Sequence, residues 1–221
     1  MLKRIPRFQL NPMLIFTISI LLMGCSSAYY GTMEKLGYHK RDLMVNRVES
    51  ARDAQQEAKE QFESALEKFS HVLKVDGGEL EEKYEQLKTA YDKSNDRAET
   101  VRDRIEAVED VSEALFDEWQ AELDQYTSDS LRRSSARKLK QTRRQYTQLI
   151  GAMKRAEKKM EPVLSAFHDQ VLFLKHNLNA RAIASLQTEL VSVEAEVNSL
   201  IRDMEASIKE ADAFIDAMAK E

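Results

Sequence analysis

The chain has 221 residues, 32% of them charged, and its 38 acids against 33 bases leave a net charge of −5 at neutral pH. An acidic balance of this kind excludes a general nucleic-acid binder. The only cysteine, Cys25, leaves no pair for a disulfide and no cysteine cluster for zinc.

The first element is a signal. Lys3, Arg4 and Arg7 precede the run Met13 to Met23, in which only Thr17 and Ser19 are not apolar. A membrane-spanning helix needs about 20 apolar residues, so this run is too short to span. Basic start, apolar run and small residue follow in the order of a cleaved secretory signal. Leu21-Leu22-Met23-Gly24-Cys25 resembles the bacterial lipoprotein signal. In such signals the cysteine becomes the acylated first residue of the mature protein. The resemblance implies removal of residues 1–24 and lipidation of Cys25. Ser26, where an aspartate would retain the protein inside, implies sorting to the outer membrane. The expected location is therefore a bacterial outer membrane, on its periplasmic face, with acylated Cys25 as the membrane contact. Without residues 1–24 the balance becomes 30 bases against 38 acids, a net charge near −8.

Residues 25–33 read as the lipidated cysteine and a short linker, and 34–221 as a single elongated domain. That domain has one proline, Pro162, and apolar residues in alternating steps of four and three. The first run is Met44, Val48, Ala51, Gln55, Ala58, Phe62, Ala65, Phe69 and Val72. The second extends from Leu80 to Trp119, with Ser94 and Ser112 on its seam. In the third, Leu139, Tyr146, Met153, Met160, Phe167 and Leu174 recur every seven residues. The fourth extends from Ile183 to Met218. Such steps put side chains on one side of a helix. Leu66, Leu73, Val111, Phe116, Leu123, Ile150, Leu164, Val171 and Leu172 widen the stripe, which suits a bundle better than a two-stranded coil.

Asp76-Gly77-Gly78, Thr127-Ser128-Asp129-Ser130 and Asn177-Leu178-Asn179 punctuate the runs. Short connectors make neighbouring helices antiparallel. The predicted fold is all-α: a long antiparallel four-helix bundle or coiled coil, tethered by an N-terminal lipid. Its helices are predicted over about 34–75, 79–126, 129–177 and 180–219, the third passing through Pro162 with a kink.

Acids crowd Asp103 to Asp124, and bases crowd the start of the third helix: Arg132, Arg133, Arg137, Lys138, Lys140, Arg143 and Arg144. These signs oppose the helix dipoles. Folding the hairpin about Ser128 is expected to lay Glu122 near Arg133 and Glu118 near Arg137. The alternative places this basic patch, with Tyr29 and Tyr30, at the membrane surface, because the first helix leaves the membrane and the second returns.

No catalytic constellation is visible. His39, His71, His168 and His176 do not pair at metal-binding spacing, and no glycine loop cradles a phosphate. No cofactor and no metal is expected. Between Phe167 and Leu190 only Asp169, Lys175, Arg181 and Glu189 are charged. This reads first as a buried corner. Its functional alternative is a contact surface remote from the membrane, with His176, Asn177, Asn179 and Arg181 as candidates.

Asp76-Gly77-Gly78, Val111 to Trp119 and Phe173 to Ala182 resemble an uncharacterised family of bacterial lipoproteins catalogued as a domain of unknown function. The resemblance covers nearly the whole mature chain. It implies a helical envelope protein and brings no site residues. The expected function is a non-enzymatic scaffold or protein-interaction module with an unidentified envelope partner. Self-association stays open, and the alternative is a lipid-binding or membrane-surface protein.

Overall fold

A computed structural model describes residues 39–74, 80–177 and 180–220. The predicted signal, Cys25 and its linker, Tyr29, Tyr30, Asp76-Gly77-Gly78 and Asn179 lie outside the described residues, as does the side chain of Arg181. Among those described there are four long α-helices and no strand: α1 Lys40–Lys74, α2 Leu80–Glu122, α3 Asp129–His176 and α4 Ala180–Ala219. A 3₁₀ turn, Leu123–Gln125, tightens the end of α2. At 1.5 Å per residue, helices of 35 to 48 residues measure about 52 to 72 Å.

α1 packs on α2, α2 on α3, α3 on α4, and α4 back on α1, which closes a ring. Cross-helix pairs fix the directions. Lys40 meets Glu118 while Arg97 meets Glu57, so α2 falls as α1 rises. Trp119 meets Ser135 and Tyr91 meets His168 between α2 and α3. Lys59 meets Glu205 and the Gln187 amide donates to the Leu73 carbonyl between α1 and α4. The helices alternate up and down. The near end holds the start of α1, the α2/α3 hairpin and the end of α4. The far end holds the other four termini.

The steps of four and three locate the core. All nine seam positions from Met44 to Val72, and all eleven from Ile183 to Met218, are buried. Towards the far end, Phe167 of α3 stacks on Phe69 of α1 at 4.4 Å between ring centres, and on Phe62 at 6.5 Å. These contacts cross the diagonal of the ring. The polar seam residues are also inside, each with a bond. Ser207 Oγ donates to Gln55 Oε1 at 2.7 Å. Ser94 and Ser112 donate to the carbonyls of Ala90 and Glu109.

α3 runs unbroken through Pro162, which lies on its exposed face. There the missing N–H leaves the Lys158 carbonyl to solvent rather than to the core. Ser128 caps α3 by accepting from the Leu131 N–H. One predicted stripe residue is misplaced: Leu172 is exposed, because Val171 and Leu174 take the inward positions and the next residue turns outward.

Candidate interaction surfaces

The expected charge closure of the α2/α3 hairpin is not what the fold has. Glu118 pairs with Lys40 of α1 at 2.8 Å. Among the described residues neither Arg133 nor Arg137 has an ion-pair partner. The reason is facing rather than register. Val111, Leu115 and Glu118 lie on one row of α2 directed at α1. Arg133, Arg137, Lys140 and Arg144, in steps of four, three and four, lie on the outer row of α3 and are all exposed.

Near the turn the hairpin is closed by aromatic contacts and hydrogen bonds instead, while further along Lys154 pairs with Glu109 at 2.6 Å and Arg102 with Glu161 at 2.8 Å between α2 and α3. Trp119 Nε1 donates to Ser135 Oγ at 2.8 Å. Phe116 and Tyr146 meet edge to face at 5.4 Å. Arg143 lies 5.2 Å from the centre of the Phe116 ring and donates to its carbonyl at 3.1 Å. Burial pushes the Tyr146 phenol up from its usual 10.0, with the hydrogen bond between Tyr146 and Ser112 acting the other way. Arg132 pairs with Asp129 one turn before it. Lys138 is exposed. Beside the hairpin lies a groove of about 460 Å³ with Leu123, Ala136 and Leu139 as its apolar part and Lys140, Arg143 and Arg144 at its rim. The tip itself exposes Leu131 at 59%.

At the far end a second groove, of about 520 Å³, opens between α3 and α4. Ala166, Gln170 and Phe173 line it from α3, and Leu186 and Val193 from α4. Its charged residues are Asp169, Glu189 and Glu196, all acids. Sequence reasoning missed Gln170, which is only 4% exposed and has no hydrogen-bond partner for either amide atom. The charge-poor segment from Phe167 to Leu190 divides here. Phe167, Val171, Leu174, Ile183, Leu186 and Leu190 are core, whereas Leu172 and Phe173 are exposed.

Of the far-end candidates, His176 and Asn177 do not line this groove. Asn177 caps α3: its N–H donates to the Leu174 carbonyl and its Nδ2 to the Phe173 carbonyl. His176 is exposed in the last turn, beside Lys175. Among the described residues no group of three or more histidines or acids is placed to hold a metal ion. Among them also, no helix is long and apolar enough to cross a membrane.

These features define an all-α protein, a closed antiparallel bundle of four long helices with surface grooves at both ends. The chain belongs to the family described as "Protein of unknown function (DUF2959)", whose model matches residues 29–218. No curated protein matches the sequence.

Proposed function

We propose that the protein is a non-enzymatic scaffold, a lipid-tethered rod on the periplasmic face of a bacterial outer membrane that presents a protein-interaction surface. The observation that carries this reading is an opposition along the rod. α1 starts at Lys40, fifteen residues after Cys25, while the α3/α4 groove lies near the other end. A fully extended linker of that length reaches at most about 50 Å, so the near end stays within that distance of the membrane. From the level of Lys40 to that of the groove is roughly 45 Å along α1. The filled apolar core supports a structural role over a catalytic one.

The test is the Cys25→Ser variant. It is expected to remain uncleaved or to leave the outer-membrane fraction, since one acylated residue is the only proposed anchor. Unchanged outer-membrane fractionation of this variant overturns the tethered reading.

A second reading, a lipid-binding or membrane-surface protein, is favoured by one observation. The outer row Arg133, Arg137, Lys140 and Arg144 is exposed and free of ion pairs among the described residues, at the end nearer Cys25. Such cations meet anionic headgroups at about 1 kcal/mol each. Binding of the non-acylated chain to phosphatidylglycerol vesicles, lost in Arg133→Glu/Arg137→Glu, would favour it. Vesicle binding absent in both removes it.

A further inference from the structure

We infer that the α3/α4 groove and the adjoining outer face of α4 form the docking site for an amphipathic helix of a partner protein. That helix carries lysine or arginine on both sides of its apolar stripe. The inference rests on the scaffold reading and names the chemistry of its partner.

The first observation is a change of character along α4. Its outermost row steps by four and three, as the core seam does. In the far half this row is Ala184, Thr188, Val191, Ala195 and Asn198, every one exposed and none charged. In the near half the same row continues as Arg202, Glu205, Lys209, Asp212 and Asp216, every one exposed and every one charged. In the near half Glu205 and Asp212 reach Lys59 and Arg52 of α1, while Arg202, Lys209 and Asp216 face water, and a helix face of that kind is expected to stay charged along its length. The far half has the composition of a face that another helix covers, and Val191 stands 70% exposed within it.

The second observation is independent of the first. Gln170 is buried in the groove lining with an amide donor and an amide acceptor both unused. Buried polar groups in folded proteins are normally paired. Rotation of the Gln170 side chain towards the groove would bring both groups to an amide or hydroxyl within the partner's apolar stripe. Phe173, 40% exposed at the groove wall, offers the aromatic anchor that such grooves use.

Charge selects the occupant. Among the described residues Asp169, Glu189 and Glu196 line the groove with no lysine or arginine, although His168 lies 4.0 Å from Asp169. A second copy docking through this face about a two-fold axis would bring these acids against themselves. A cationic helix meets them with opposite charge.

The probe is a short synthetic helix with a leucine stripe, one asparagine within it and lysines flanking it. Its control has every lysine replaced by glutamate. Binding is followed by fluorescence anisotropy to the full mature chain as isolated, in buffer or, where it is acylated, in neutral-lipid nanodiscs with empty nanodiscs subtracted. The lysine probe is expected to bind saturably at one per chain, more weakly at high salt, and the glutamate probe not at all. Phe173→Asp and Val191→Asp, both on exposed residues, should keep the melting temperature and weaken binding roughly tenfold, about 1.4 kcal/mol. Gln170→Leu should shift preference towards a probe whose asparagine is leucine.

Equal binding of both probes overturns the inference, as does lysine-probe binding that Phe173→Asp and Val191→Asp leave unchanged. A dimer of the chain that those two variants dissociate would assign the face to a second copy and overturn it equally. None of these outcomes depends on the fate of Cys25→Ser, so failure of the docking site and failure of the tether are separate results.

Discussion

Lys40 Nζ lies 2.8 Å from Glu118 Oε1, joining the first turn of α1 to the last turns of α2. The lysine side chain is only 10% exposed and the glutamate 32%, so the pair is partly shielded from water. It anchors the end of the bundle that follows the linker. It also takes the acid that the charge pattern alone would have given to Arg137.

Glu118→Lys should therefore destabilise the bundle by setting two cations against each other. A loss of about 1 to 2 kcal/mol is expected, between exposed pairs and fully buried ones. Adding Arg137→Glu should not restore it. Urea denaturation of the single and double variants checks this. Full recovery in the double variant would return the pairing to the hairpin.

The buried Ser207–Gln55 bond makes a different demand. Ser207→Ala leaves the Gln55 amide without its 2.7 Å donor and should cost about 1 to 3 kcal/mol. Combining it with Gln55→Leu removes the orphan and should regain most of that loss. A double-mutant cycle reads the coupling, and strict additivity of the two changes would contradict it.

Phe167 and Leu172 are five residues apart and should differ sharply. Phe167→Ala removes the centre of the Phe62, Phe69 and Phe167 stack and should cost about 3 to 5 kcal/mol. Leu172→Ala, on an exposed residue, should change stability by less than about 0.5 kcal/mol. Similar losses at both sites would mean that Leu172 is covered.

Tyr146 gives a pH dependence. Burial raises its folded pKa above the ordinary 10.0, so the neutral phenol is favoured in the bundle. Its contribution to stability is fully present below that ordinary value. It is lost as pH rises from there through the raised folded value. Thermal melts across this alkaline range should fall more steeply for the wild type than for Tyr146→Phe. Parallel curves would remove the effect.

How much of this was legible in the sequence follows from what each signal measures. Steps of four and three report which side of a helix faces inward, and they located the seams of α1 and α4 residue by residue, polar Gln55 and Ser207 included. Charge runs report only which helices carry which sign. They could not say that Glu118 points at α1 while Arg133 and Arg137 point outward. Gln170 was missed because a glutamine three residues after Phe167 reads as surface unless the neighbouring helix is known. Asn177 was read as a contact residue, and the fold uses both of its nitrogens to end α3. The far half of the outer α4 row carried a legible signal, its lack of charge from Ala184 to Asn198. Its meaning needed the contrast with Arg202 to Asp216 on the same exposed row.

The tether is the claim on which the orientation of the whole rod depends, and one mass measurement tests it. Intact mass spectrometry of the protein extracted from the outer membrane should give a chain that lacks residues 1–24. Its first residue should be Cys25 carrying acyl groups. A chain that keeps residues 1–24, or one with Cys25 unmodified and recovered in the soluble fraction, would contradict the account.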